Sequence, residues 1–271
     1  MTHWSLDTVS WDKFDPSKVT PELLALAKAA ALVEYNGGDY GDYLQGVFAD
    51  DPKFREETIR WSREEVQHGA ALARWAEMAD PSFDFAAAFK KFTGHCKIPT
   101  DAKISVRGSK AGELIARCIV ETGTSSYYTA LSEATNEPVL KEICRNIAAD
   151  ELRHYKLFYI HLRRYLDKEK IGKWGRMKIA FGRILESEDD ELTYAYYAAN
   201  SSGGKFDRKY YAAIYSRKAY SYYRRHHIER GISMILKAIG LTPNGKLQKG
   251  LTSIAWRFMN WRIKRPMATA G

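Results

Sequence analysis

Cysteine is scarce: Cys96, Cys118 and Cys144 are the only three in 271 residues. Their odd number and wide spacing suit a reducing cytoplasm better than a disulfide framework, and argue against a structural zinc site. Long apolar runs are missing too. Hydrophobic residues make up 45% of the chain, yet no uninterrupted stretch approaches the ~20 residues of a membrane-spanning helix. The opening "MTHWSLDTVSWDKFD" has no basic start followed by an apolar segment, so the expectation is a cytoplasmic chain without a secretory signal. Strand-like alternation is nearly absent. Acidic residues are rare in the last quarter, where from Lys205 onward fifteen Lys/Arg face only Asp207 and Glu229. That is a local balance of +13 against +9 for the whole chain. The remainder is slightly acidic, so an acidic partner would be drawn to the tail.

What is present is helical periodicity. Thr20-Pro21-Glu22 reads as an N-cap followed by proline at the first helical position, opening a helix to about Phe48. Asp51-Pro52 opens a second helix, which ends near Asp80-Pro81. Residues 81–108 form a long connection, with a short helical piece at "FDFAAAFKKF" and a break at "KIPTDAK". A third helix fits Ser109 to about Ala134, and a fourth runs from Pro138 to about Asp167 after the turn "TNEP". Two short links and one long crossover predict an all-α, ferritin-like four-helix bundle over residues 1–170. Residues 171–271 would add two or three helices, interrupted by "NSSGGK" and "GLTPNGK".

Two segments share one pattern. "WSREEVQHG" (61–69) holds Glu65 and His68, and "ADELRHYKL" (149–157) holds Glu151 and His154. Each pair is spaced i, i+3, which puts both side chains on one helix face. A di-metal site of this kind needs one further carboxylate from each of the other two helices. Glu34 lies about 14 residues before the first link and Glu65 about 13 after it; at 1.5 Å per residue both are roughly 20 Å from the turn. Glu121 matches Glu151 about the second link in the same way, whereas Glu113 would lie about 12 Å further along. The offsets are 31 residues from Glu34 to Glu65 and 30 from Glu121 to Glu151. A single Glu-x-x-His is ordinarily a solvated face. Two, with matched glutamates inside apolar segments, predict a pair of cations, because unpaired buried carboxylates are costly. Four carboxylates and two imidazoles without thiolate suit two Fe ions, with an Fe–Mn pair as the competitor.

These residues resemble the soluble acyl-carrier-protein desaturases of the ferritin-like di-iron superfamily. Trp61-Ser-Arg-Glu64-Glu65-Val-Gln-His68-Gly69 is similar to their W-x-x-E-E-x-x-H-G, Asp150-Glu151-Leu-Arg153-His154 to their D-E-x-R-H, and Glu121-Thr-Gly-Thr124 to their E-x-x-T. The resemblance covers about residues 20–170. It implies that Glu34, Glu65, His68, Glu121, Glu151 and His154 bind two irons and that Thr124 lies beside the oxygen-binding face. Asp150 would orient a ligand histidine, and Trp61 would belong to an electron route. Core packing explains Trp61 equally well, and Thr124 has its own helix backbone as an alternative partner. Gln67 departs from the family, which has arginine there.

The expected function is O2-dependent desaturation or hydroxylation of an acyl or lipid-like substrate, carried on a carrier protein or not. An acidic ferredoxin or reductase would be the external electron donor. Ferroxidase or peroxide-scavenging activity is the rival, and a radical-generating or metal-binding subunit a third reading. In the basic tail, Trp256, Phe258 and Trp261 beside Arg257, Arg262, Lys264 and Arg265 suit an anionic membrane surface, an acidic protein, or simply a helical cap. Nucleic acid is the weaker reading because no RNA or DNA module is recognisable, and homodimeric assembly stays open. His226 and His227, being adjacent, are expected on different sides of a helix, and "ESEDDE" (186–191) reads as a solvated terminus.

Overall fold

The helix starts explain the layout. Thr20, Asp51 and Glu137 each accept backbone N–H bonds from the first turn and are followed by proline, and Ser109 caps in the same way without proline. Each side-chain acceptor satisfies donors that the first turn leaves without partners. A computed structural model of the chain describes residues 3–186, 190–201, 203–243 and 245–264. Among the described residues there are eleven α-helices and no strand, and no helix is long and apolar enough to cross a membrane.

The first expected helix is two: α1 (Pro21–Tyr35) and α2 (Gly37–Val47). They part at Asn36, where Gly37-Gly38 weakens helix propensity. A Cβ on Gly37 would overlap the Cβ of Glu65, so this glycine lets the two chains approach closely. Next come α3 (Pro52–Ala79), α4 (Phe85–His95), α5 (Lys110–Ala134) and α6 (Pro138–Glu169). Five helices follow rather than two or three: α7 (Lys173–Glu186), α8 (Asp190–Asn200), α9 (Arg208–Ser221), α10 (Arg225–Ala238) and α11 (Lys246–Lys264). The break between α9 and α10 falls at Tyr222–Arg224 and carries no glycine or proline to announce it.

Side-chain pairs set the register. Lys28 meets Asp80 and Gln45 meets Thr58, so α1–α2 runs antiparallel to α3. Glu169 accepts the backbone N–H groups of Lys110 and Ala111, while Thr124 reaches Glu151, so α5 and α6 are antiparallel. Trp75 with Glu137 at one end and Glu57 with His161 at the other make α3 and α6 antiparallel as well. Of the later helices, α8 packs on α1, while α7 and α10 pack on α5.

The apolar core lies in two clusters. Leu26, Leu32, Leu72, Trp75, Leu131 and Ile147 belong to one; Leu44, Phe54, Leu114, Ile115, Phe158 and Leu162 belong to the other. Between them, on α1, α3, α5 and α6, lie Glu34, Glu65, His68, Glu121, Glu151 and His154, all buried.

Candidate metal centre

The six side chains form two overlapping groups that could hold metal ions. Glu34, Glu65, His68 and Glu151 make one, and Glu65, Glu121, Glu151 and His154 the other; within each group one ligand atom per residue lies within 4.8 Å of the rest. Glu65 and Glu151 are shared, while each group has its own histidine and its own third glutamate. His68 Nδ1 is 3.3 Å from Glu151 and 3.5 Å from Glu34. His154 Nδ1 is 2.9 Å from Glu65 and 3.6 Å from Glu121. Every one of the six leaves one buried atom without a hydrogen-bond partner: Glu34 Oε2, Glu65 Oε1, His68 Nδ1, Glu121 Oε2, Glu151 Oε1 and His154 Nδ1. A native interior leaves only a few such atoms per hundred residues, and seldom gathers them in one place. Six, one per residue and facing one another, fit cations.

The outer ring nitrogens are already engaged. His68 Nε2 lies 3.0 Å from Asp150 Oδ2, and His154 Nε2 lies 2.7 Å from Glu64 Oε2. A carboxylate on Nε2 fixes that nitrogen as the protonated one and leaves Nδ1 to ligate. The support is crossed: Asp150 precedes Glu151 but holds His68, and Glu64 precedes Glu65 but holds His154. Arg153 donates to Asp150 at 2.7 Å and reaches Glu64 at 3.4 Å, joining the two supports. Trp4 stacks parallel to His68 with centroids 5.9 Å apart, and donates its indole N–H to Asp150 at 2.7 Å. Gln67 in turn donates to the Trp4 carbonyl.

Without cations the cluster must hold protons instead. Burial and the Glu151 charge push Glu65 up to about 8 and raise Glu121 well above the usual carboxylate range. Burial opposes ionisation of Glu151 too, but the His154 and His68 imidazoles outweigh it and hold Glu151 well below that range. Burial also opposes charge on both histidines. Asp150, Glu151 and Glu34 overcome it at His68; Glu121, Glu151, Glu64 and Glu65 do so at His154, and both are raised well above their ordinary value. Metal binding would displace these protons.

Thr124 donates to Glu151 Oε2 at 2.6 Å and also contacts the carbonyls of Val120 and Glu121, so the backbone alternative is present alongside a contact to a cluster carboxylate that the sequence did not announce. Trp61 is buried, edge-on to His154 at 6.4 Å, with its indole N–H unpartnered. Glu113 is outside the centre: its carboxylate accepts from Tyr43 and Ser105.

A cavity of about 430 Å³ borders the centre at Glu34, Glu65 and Thr124. Its apolar walls include Ile119, Val120, Ile228, Ile232 and Ile235, with Arg117, Arg183 and Glu191 among the few charged residues on its lining. Gly123 opens onto this space, since a Cβ there would meet nothing within 4 Å.

Several features escaped sequence reasoning. Glu64 stands before Glu65 as Asp150 stands before Glu151, and that repeat was the available signal. Tyr128, which donates to Glu34 Oε1 at 2.7 Å, stands on α5 seven residues after Glu121, a same-face spacing that was available as a signal. Trp4 comes from a distant segment with no spacing to mark it. Glu191 is not solvated: it lines the cavity, accepts from Tyr40 at 3.1 Å, and burial raises its pKa. Glu186 is exposed and paired with Arg107, whereas 187–189 lie outside the described residues. His226 and His227 do not diverge; both Nε2 atoms reach Glu133 Oε2, at 3.2 and 3.0 Å. His227 Nδ1 accepts the Arg224 N–H, so Nε2 carries the ring proton, and a metal on Nε2 would break that arrangement. This trio is a hydrogen-bonded clasp between α5 and α10. No family model matches the chain, and no curated protein matches it.

Proposed function

We propose that α1–α2, α3, α5 and α6 form a ferritin-like four-helix bundle around a pair of iron ions, and that the chain oxidises an organic, acyl or lipid-like substrate with O2. The observation that carries the reading is the set of six orphaned buried ligand atoms in two groups that share Glu65 and Glu151. Four carboxylates and two imidazoles suit iron, or iron with manganese, better than structural zinc. The only thiol nearby on α5, Cys118, lies outside both groups, and burial pushes its pKa well up.

In this reading Glu34, Glu65, His68 and Glu151 hold one ion, and Glu65, Glu121, Glu151 and His154 the other. Once reduced by an external ferredoxin or reductase, the bound pair supplies the activation of O2. Asp150 and Glu64 keep the imidazoles in the ligating tautomer, and Thr124 steadies Glu151 on the side that meets the cavity. The isoleucine-lined walls exclude water and accept an apolar body, which favours an organic substrate over Fe(II) as the species oxidised. Hydroxylation would place one oxygen atom on the substrate and release the other as water. Desaturation would remove two hydrogens and release both oxygens as water. Either consumes O2, two electrons and two protons.

The test loads the protein anaerobically with Fe(II), counts the metal, and admits O2 with and without lipid extract and reductant. Two irons per chain and a product heavier by one oxygen or lighter by two hydrogens are expected. One iron or fewer sinks the centre; two irons with only ferric product sinks the substrate and leaves a ferroxidase.

A further inference from the structure

Among the described residues, nine of the thirteen large apolar side chains that are exposed lie on α7 and α11. Concentrated exposure of this kind marks a binding face rather than ordinary surface. On α11 the pattern is regular: Leu247, Leu251, Ile254, Phe258 and Trp261 are spaced four, three, four and three residues apart and are all exposed, Ile254 by 66%. They form a single stripe about 20 Å long on one side of the helix. The two buried side chains of α11 are Gln248 and Thr252, both polar. Core packing therefore does not account for the apolar stripe.

Charge decides the occupant. Helix α11 carries Lys246, Lys249, Arg257, Arg262 and Lys264 and no acidic residue. At 3.6 residues per turn, the exposed Lys246, Arg257 and Lys264 border the stripe within about a quarter turn. A second copy would bring the same positive border against this one. An anionic bilayer complements both parts, taking the apolar stripe at the acyl boundary and the cations at the headgroups.

We propose that α11 docks in the plane of an anionic lipid bilayer through Leu247, Leu251, Ile254, Phe258 and Trp261. Ala255, about a quarter turn round the same helix from the stripe, lines the metal-centre cavity, and α7, which also carries a cluster of exposed apolar residues, lines it at Arg183 and Ile184. Docking thus sets a cavity wall beside the lipid. The proposal is independent of the redox reading, since binding is scored without turnover.

The experiment sediments the full chain with vesicles of phosphatidylcholine alone or mixed with phosphatidylglycerol, at low and high salt. Binding is expected to the mixed vesicles, weakened by salt. I254D/F258D should reduce it by at least about tenfold, because interfacial affinity scales with buried apolar area. K246Q/R257Q/K264Q should reduce binding and flatten its salt dependence. Both variants alter exposed residues, and unchanged helix content and thermal unfolding show that the fold is retained. Equal binding by I254D/F258D overturns the proposal. So does a lipid-free dimer that this variant disperses, or attachment to an acidic ferredoxin with no attachment to vesicles.

Discussion

Glu34, Glu65 and His68 come from a hairpin whose first helix breaks two residues past the glutamate, whereas Glu121, Glu151 and His154 come from one whose first helix runs unbroken from Lys110 to Ala134. The donor sets are the same and the packing is not. In the first hairpin Gly37 is pressed against Glu65, and a Cβ on Gly69 would overlap the backbone of Tyr35. In the second, Gly123 faces open cavity. The first hairpin is packed tightly at its glycines, yet its Glu34 and Glu65 reach the cavity. From the second hairpin the cavity is lined beside the ligands by Gly123 and Thr124, where the helix surface stands open. The supports differ as well: Asp150 behind His68 is buried under Trp4, while the side chain of Glu64 behind His154 is 24% exposed.

The largest effect should come from the residues that the two ligand groups share, one from each hairpin. Glu65→Ala or Glu151→Ala should abolish paired metal binding, whereas Glu34→Ala or Glu121→Ala should leave one ion with three ligands. Metal analysis after anaerobic loading checks this, and equal loss in all four variants would erase the distinction between shared and terminal carboxylates. Glu113→Ala should leave metal content unchanged.

A smaller effect should separate the supports. Asp150→Asn and Glu64→Gln each keep the size of the side chain but weaken the hold on the ring proton, which ordinarily costs 10–100-fold in metal affinity. Asp150→Asn should show the larger loss because its carboxylate is less accessible to water that could substitute. Competition titration with a coloured chelator measures both, and the reverse order would mean that the exposed support matters more.

The helical scaffold was legible because a helix converts spacing into height. Glu34 and Glu121 could be set level with Glu65 and Glu151 from residue counts alone, and the structure gathers those six residues. The crossed supports were not legible. Glu64 lies beside a ligand of its own hairpin yet holds a histidine of the other, a relation that exists only once α3 and α6 are packed. The break at Asn36 depends on how closely α2 meets α3, which composition does not reveal. The five C-terminal helices were undercounted because Tyr222–Arg224 ends a helix without a breaker residue, and Glu191 was misplaced because an acidic run gives no sign of which member turns inward.

The smallest effect should come from the glycines, and its sign should differ between the halves. Gly37→Ala forces a methyl into Glu65 and should cost about 1–3 kcal/mol, as overpacking does. Gly123→Ala meets no atom and should stabilise α5 by up to about 1 kcal/mol, the difference in helix propensity. Urea unfolding reads both. If Gly123→Ala destabilised the protein, the space beside Glu121 and Thr124 would be filled in solution.

The layer of six ionisable residues cuts across α1, α3, α5 and α6 and lies between the two separate clusters of the apolar core. Folding cooperativity is carried mainly by continuous apolar contact, and proteins open in units that follow it. Here that continuity is interrupted at the one level where like charges crowd together. A cation pair at this level would act as a rivet, giving the two clusters a common fate: amide protons on both sides would then exchange only through global opening. Stripped of ions, the same helices would open as two neighbouring units, with the seam between them along Glu34, Glu65, Glu121 and Glu151.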